Sequence, residues 1–167
     1  MKVADICTRE VVSTERTSSL QHAATLMREH HVGSLVVIGD SSQGAQVVGI
    51  VTDRDVVVEA VARGLDVMQT EIGRFADGKL AAVPAGASLD EAIAMMKKRG
   101  VRRLLVAGDG GGLYGIVSMD DLLDALVHEM SDMARAVRGG IEREAAERAP
   151  LPAARPIAAR IPEYSFE

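Results

Sequence analysis

Two short stretches of the chain combine a glycine, a hydroxyl residue and a carboxylate at the same spacing. The first reads Gly-Ile-Val-Thr-Asp-Arg-Asp at residues 49–55, and the second reads Gly-Ile-Val-Ser-Met-Asp-Asp at residues 115–121. In each, an apolar run leads into a segment of helical periodicity, which predicts a strand that ends where a helix begins. The unpaired N–H groups and partial positive charge of a helix start favour a phosphate or another anion.

The same side chains also have an explanation that needs no ligand. Thr52 with Asp55, and Ser118 with Asp121, have the spacing of capping boxes, in which hydroxyl and carboxylate satisfy N–H groups of their own helix. Capping and ligand binding are compatible, so the residues alone leave both interpretations open.

The two stretches belong to an internal repeat. Residues of the same type recur 69 positions apart, as in Leu20 and Leu89, Met27 and Met96, and Val32 and Val101. By the glycines at 49 and 115 the offset has fallen to 66. The lost residues fall in a polar, glycine-rich turn at residues 39–45 and 108–112, where a hairpin tolerates a change of length.

Each copy predicts the element order β-α-β-β-α, so the fold class is α/β, more closely α+β. Short extended segments at 11–14 and 80–83 precede helices capped by Ser18 or Ser19, and by Ser88 with Glu91. A copy of about 60 residues is marginal as a lone domain. We therefore expect two repeats, 1–66 and 72–130, joined by a linker at 67–71 and packed sheet to sheet about a pseudo-two-fold axis.

The chain continues beyond the second repeat. Apolar residues from Leu123 to Val137 keep helical spacing, and Gly139-Gly140 predict the end of that helix. A charged segment completes a helical extension at 131–149, and residues 150–167 form a Pro/Ala/Arg-rich tail without periodicity. The apolar stripe either packs on its own domain or meets a second subunit.

Composition excludes several classes of function. Apolar residues make up 47% of the chain but aromatics only 2%, and the net charge is −5. The acidic balance and the scarcity of aromatic rings argue against nucleic-acid binding. Cys7 is the single cysteine, so no internal disulfide forms and a cytoplasmic location fits best. No apolar run approaches the length of a membrane span.

No set of residues predicts catalysis or a metal site. The acidic pairs Asp53/Asp55 and Asp120/Asp121 stand at helix starts, where capping explains them. Cys7 has no histidine near it in sequence and is expected to be an inert apolar filler. The histidines do not have metal-ligand spacing, and they are His22, His30, His31 and His128.

Arg102 and Arg103 are the informative charges. They open an apolar strand in the second copy, where the first copy has Gly33 and Ser34. Strand alternation sends their side chains to opposite faces, so one can reach the cleft beside Ser118 and hold phosphate with its guanidinium group. The alternative is a pair of solvated arginines at a sheet edge.

Together these features resemble a tandem pair of CBS domains, also called a Bateman module, over about residues 3–130. The resemblance rests on the order and repetition of motifs at residues 3–8, 31–37 and 100–106 and of both Gly-x-x-Ser/Thr-x-x-Asp stretches. Cys7 stands where the family often has methionine.

The resemblance implies two clefts that bind adenosine-type ligands, namely AMP, ADP, ATP or sometimes S-adenosylmethionine. Asp55 and Asp121 would accept bonds from ribose hydroxyls, while Thr52 and Ser118 would contact phosphate or ribose. Arg102 or Arg103 would hold phosphate in the cleft of Asp121. Adenine would lie among aliphatic residues, with backbone groups near Val12 and Ala81 reading its edge; these aliphatic residues are Val32, Val101, Ile50 and Ile116.

The sequence therefore predicts a non-catalytic regulatory module that binds adenine nucleotides, as a homodimer stacked through its helices, with an unidentified regulated protein as a further partner. Because the arginines occur in one copy only, the Asp121 cleft is expected to bind phosphorylated nucleotide more tightly than the Asp55 cleft. The alternatives are a sensor of S-adenosylmethionine and a ligand-free scaffold for dimerisation or protein interaction.

Overall fold

The structure, a computed structural model, describes residues 1–42, 44–76 and 80–148. The first half of the chain carries a short leading helix, three strands and three further helical segments. In chain order they are α1 (Val3–Ile6), β1 (Ser13–Glu15), α2 (Leu20–Glu29), β2 (Ser34–Ser41), β3 (Gly44–Thr52), α3 (Asp53–Asp55) and a π-helix (Val56–Val61).

The second half repeats this order with a longer final helix. Its elements are α4 (Gly73–Ala76), β4 (Ala82–Pro84), α5 (Leu89–Arg99), β5 (Arg103–Ala107), β6 (Leu113–Ser118) and α6 (Met119–Glu147). The predicted mixed α and β architecture of two similar repeats is thereby confirmed. None of the described helices is both long enough and apolar enough to cross a bilayer.

Local sequence accounts for the helix ends. Ser19, rather than Ser18, caps α2 by accepting a bond from the backbone N–H of His22 at 3.1 Å. Ser88 and Glu91 form the predicted capping box of α5. Gly100 ends α5 in the left-handed conformation at φ 64°, and its counterpart in the first repeat, His31, adopts φ 54°.

Each repeat contributes a three-stranded sheet in which the first pair is parallel and the second antiparallel. The antiparallel ladders are interrupted at equivalent places, between Val37 and Ile38 and between Val106 and Ala107. The two sheets meet through a shared apolar cluster of Val36, Ile50 and Leu105, against which Ile116 packs. Equivalent positions of both repeats thus face each other, as the predicted pseudo-symmetry requires.

The leading segments of the two repeats are exchanged. Val3 in α1 is fully buried in the core of the second repeat, and Thr8 exchanges two backbone bonds of 2.9 Å with Ile116. Reciprocally, Phe75 and Ala76 of α4 pack in the core of the first repeat. Each core is therefore completed by residues from the other half of the chain.

The exchange explains the glycine of each repeated motif. A Cβ at Gly49 would lie 2.4 Å from the carbonyl oxygen of Ala76, and one at Gly115 would lie 2.6 Å from that of Thr8. The exchanged segments cross the strands at these points, so a side chain has no room.

The prediction that Gly139-Gly140 end the last helix is wrong. Helix α6 continues through both glycines to Glu147. Neither glycine adopts positive φ, which a glycine stop requires, and Arg143 Nε donates to the carbonyl of Gly139 at 3.1 Å. Glycine costs a helix interior only about 1 kcal/mol, so good helix formers on both sides can carry the helix through.

Candidate ligand-binding site

The site begins where β3 passes into α3. Asp55 Oδ2 accepts bonds from the backbone N–H of Thr52 at 2.9 Å and from its hydroxyl at 2.7 Å, and the hydroxyl accepts from the N–H of Asp55 at 3.2 Å. This is the predicted capping box. It fixes hydroxyl and carboxylate side by side at the end of the strand.

The same arrangement recurs where β6 passes into α6. Asp121 Oδ2 accepts from the N–H and from the hydroxyl of Ser118, both at 2.7 Å, and that hydroxyl accepts from the N–H of Asp121 at 3.2 Å. A carboxylate offers about four lone-pair positions. Capping therefore leaves a group of this kind able to accept bonds from a sugar hydroxyl.

A cavity of about 720 Å³ opens beside Thr52 and Asp55. Its walls come from the β3–α3 junction and from the end of α5 with the start of β5. The lining residues are Ile50, Thr52, Asp53, Arg54, Asp55, Arg99, Gly100, Val101, Arg102 and Arg103. Four arginines thus stand against two aspartates, and this excess of positive charge favours an anion.

The four arginines are available for such an anion. Within the described residues, none of their guanidinium groups forms an ion pair with a carboxylate of the chain. A guanidinium group presents a planar fork of donors that matches phosphate oxygens. The cavity combines this cluster of donors with one hydroxyl and with aliphatic walls.

Arg102 and Arg103 stand beside the first strand–helix junction. Both line the cavity of Thr52 and Asp55, whereas the sequence predicts that one of them lies beside Ser118 and Asp121. A Cβ at Gly33 would lie 3.4 Å from a terminal nitrogen of Arg103 and 3.5 Å from Asp53 Oδ2, so this guanidinium reaches across to the first repeat.

Two features of the chain explain the difference. Arg102 precedes β5, so strand alternation does not separate its side chain from that of Arg103. The backbone of Arg102 contacts the start of α6, because its carbonyl accepts from the N–H of Met119 at 2.8 Å. Tighter binding in the Asp121 cleft therefore stays a prediction from sequence, and the arginines beside Thr52 favour the opposite order.

Of the twelve predicted site residues, the cavity brings together six, namely Ile50, Thr52, Asp55, Val101, Arg102 and Arg103. Neither Ser118 nor Asp121, which stand at the junction of β6 and α6, lines this cavity. The same holds for Val32, the equivalent of Val101, and for Ile116, the equivalent of Ile50. The carbonyls of Val12 and Ala81 accept from the N–H groups of Val36 at 3.1 Å and Leu105 at 2.9 Å, so sheet pairing occupies them.

Four of the lining residues were not predicted from the sequence to contact a ligand. Asp53 and Arg54 lie inside the repeated motif, and Arg99 and Gly100 lie directly before the predicted arginine pair. A charged residue on the last turn of a helix is usually solvated, so the sequence around Arg99 does not indicate that this residue contacts a ligand. Its place in the cavity follows only from the packing of the two repeats.

The described residues also bear on metal binding and on thiol chemistry. Among the described residues, no group of three or more His, Cys, Asp and Glu is placed to hold a metal ion. Burial raises the pKa of the Cys7 thiol, although nearby Arg9 opposes the shift, so the thiol stays protonated at neutral pH.

Comparison with known proteins agrees with this architecture. Residues 3–61 and 66–128 each match the CBS domain, which together is more than half of the chain. The chain belongs to the CBS domain family. It is a tandem pair of CBS domains followed by the remainder of α6 and the C-terminal segment.

Curated relatives of this CBS pair come from archaea, bacteria and a plant. The CBS domain-containing protein YhcV of Bacillus subtilis is 33% identical over 130 residues, covering 78% of this chain and 86% of YhcV. An uncharacterised protein of Methanopyrus kandleri is 30% identical over 123 residues, covering 74% of this chain. The match spans 61% of the length of the Methanopyrus protein.

Solved CBS structures superpose on this chain. Hypoxic Response Protein I with two coordinated zinc ions has 33% identity and a TM-score of 0.63, covering 74% of this chain and 98% of that one. At lower identity the likeness concerns the fold alone. A Pyrobaculum aerophilum CBS protein complexed with AMP has 24% identity and a TM-score of 0.67, covering 79% of this chain and 99% of that one.

A further structure in this group is the CBS domain of a bacterial CNNM/CorC family Mg²⁺ transporter in complex with ATP. It has 22% identity and a TM-score of 0.65, covering 76% of this chain and 87% of that one.

Proposed function

We propose that this CBS pair is a non-catalytic regulatory module that binds an adenine nucleotide in the cavity of Thr52 and Asp55. The observation that carries the proposal is the cluster of four arginines without ion-pair partners among the described residues. The cavity volume of about 720 Å³ also suits a ligand of nucleotide size.

In this proposal three kinds of side chain in the cavity each contact a different part of the nucleotide. Asp55 accepts from ribose hydroxyls, the arginines hold phosphate oxygens, and Ile50 and Val101 provide the apolar wall for adenine. Solved CBS proteins in complex with AMP and with ATP support the choice of ligand class. S-adenosylmethionine fits less well, because its sulfonium cation would face the same excess of positive charge.

The dimeric state, the regulated partner and the second nucleotide site are further parts of this proposal. The module acts in the cytoplasm as a homodimer and transmits nucleotide binding to a protein that it regulates, through a shift in the population of its conformations. Ser118 and Asp121 form the second, weaker nucleotide site, because the arginines line the other cavity.

Calorimetry on the full chain tests the proposal. We expect affinity to rise from AMP to ADP to ATP, because each phosphate adds oxygens for the arginines. Replacing both Arg102 and Arg103 by alanine should weaken ATP binding at least about 10-fold, since a charge-assisted bond contributes about 1.5–3 kcal/mol. Arg28→Ala, which removes an arginine of α2 outside the cavity, is the matched control.

The outcomes separate the candidate functions. Asp55→Ala should cost more affinity for ATP than Asp121→Ala, the reverse of the order expected from sequence. Absence of a thermal shift with AMP, ADP and ATP would favour the ligand-free scaffold, since a ligand specific to the folded state raises Tm. Equal binding of adenosine and ATP would exclude the role given to the arginines.

A further inference from the structure

Helix α6 carries an exposed apolar face in the part of the chain that follows the CBS pair. Large apolar side chains recur along it with solvent exposures between 59% and 65%, and they are Val127, Met130, Met133, Val137 and Ile141. Exposed apolar surface of this extent on a soluble helix marks an interaction site.

The spacing of this face is that of a coiled coil. Val127, Ala134 and Ile141 stand seven residues apart and occupy position a of a heptad, while Met130 and Val137 occupy position d. A strict 3.5-residue repeat keeps such a seam on one side of a supercoiled helix pair. The pattern therefore fits another helix of the same periodicity better than it fits a flat surface.

We propose that the occupant of this face is α6 of a second copy of the chain, in antiparallel orientation. In an antiparallel pair, a positions face d positions of the partner helix. Val127 then faces Val137 of the second copy and Met130 faces Ala134, and two-fold symmetry generates the same layers again. Leu123 likewise faces Ile141, so every layer of the seam between residues 123 and 141 is apolar.

Charge selects the antiparallel orientation. Residues 123–131 contain two carboxylates and no lysine or arginine, whereas residues 133–141, which lie beside them in this register, contain two arginines and no carboxylate. A parallel pair would place the acidic segments side by side. The antiparallel pair places each acidic segment beside a basic one, with Asp124 and Arg138 both at position e on the same flank.

The first test measures the oligomeric state of the full chain by sedimentation equilibrium. We expect the wild type to be a dimer and the Met130→Glu/Val137→Glu variant to dissociate with a Kd raised at least about 100-fold, because four glutamates would be buried in one seam. Ala136→Glu, at outer position c of the same helix, should leave the dimer intact. A monomeric wild type, or a dimer that survives the double substitution, would overturn the proposal.

The second test fixes the orientation through disulfide formation in a Cys7→Ser background. When Val127→Cys and Val137→Cys chains are mixed, the antiparallel register predicts mixed disulfides, since these residues face each other. Each chain alone should cross-link poorly, because two copies of residue 127 lie about 15 Å apart along the seam. Efficient cross-linking of each chain alone would show a parallel pair. Nucleotide affinity serves as the independent readout that the CBS pair remains folded.

Discussion

Thr14 is a polar residue at a core position where the second repeat has an apolar one. Its hydroxyl is buried, with 7% of the residue exposed, and it has no hydrogen-bond partner among the described residues. Val83, the counterpart 69 positions later, is also buried, and both residues pair with equivalent strand positions, Val37 and Val106. The second repeat thus shows that a methyl group suits this place.

We predict that Thr14→Val stabilises the protein by about 1–3 kcal/mol, the usual cost of a buried polar group without a partner. The measurement is the urea midpoint at constant m-value. Val83→Thr is the mirror-image control and should destabilise by a similar amount. A destabilising Thr14→Val would mean that the hydroxyl makes a bond that the described residues do not contain.

A second prediction at the scale of the residue concerns how the alkylation rate of Cys7 depends on pH. Burial raises the pKa of its thiol, so less thiolate is present at a given pH than in an ordinary cysteine. Alkylation by iodoacetamide at pH 8 should therefore be slower in the folded protein than in the urea-unfolded chain, and the difference should narrow as pH rises. Equal rates at pH 8 would contradict the assigned shift.

At the scale of the element, the glycine of each repeated motif serves the crossing of an exchanged segment. Gly49→Ala and Gly115→Ala should each destabilise by about 1–3 kcal/mol, because the new methyl group meets a backbone carbonyl that cannot move independently. Thermal unfolding measures the loss. Gly112→Ala is the control, since a Cβ there would meet nothing within 4 Å. An unchanged Tm in the motif variants would refute the crossing argument.

Local chemistry determines which elements could be predicted from sequence. The capping boxes of Thr52 with Asp55 and of Ser88 with Glu91 involve residues three apart, so their spacing identified the helix starts. The continuation of helix α6 through Gly139-Gly140 could not be predicted in the same way. Glycine permits a helix stop without imposing one, and the outcome depends on the residues around it.

The arginines show where prediction fails at the site. Their sequence position identified Arg102 and Arg103 as candidate phosphate ligands, but which cavity they line depends on how the two repeats cross. The same crossing brings Arg99 to the site. Information of that kind lies in contacts between residues far apart in the chain, which periodicity and spacing do not report.

At the scale of the whole molecule, the exchange of leading segments makes the stability of each repeat depend on the other. The core of the second repeat contains Val3, and the core of the first contains Ile72 and Phe75. Neither half of the chain can therefore complete its core alone. Since the two sheets also share the cluster around Val36 and Leu105, we expect damage to a leading segment to weaken the opposite repeat.

Val3→Ala tests this expectation. The side chain is fully buried, so its truncation should cost about 2 kcal/mol, and the loss of amide hydrogen-exchange protection should be at least as large at Leu104 and Val106 as in the first repeat. Ile72→Ala is the reciprocal variant and should act most on Leu35 and Val37. Glu10→Ala, at an exposed residue just after the same segment, should change neither. If Val3→Ala weakened protection only in β1 to β3, each repeat would be stabilised by its own leading segment, and the packing described for α1 would be wrong.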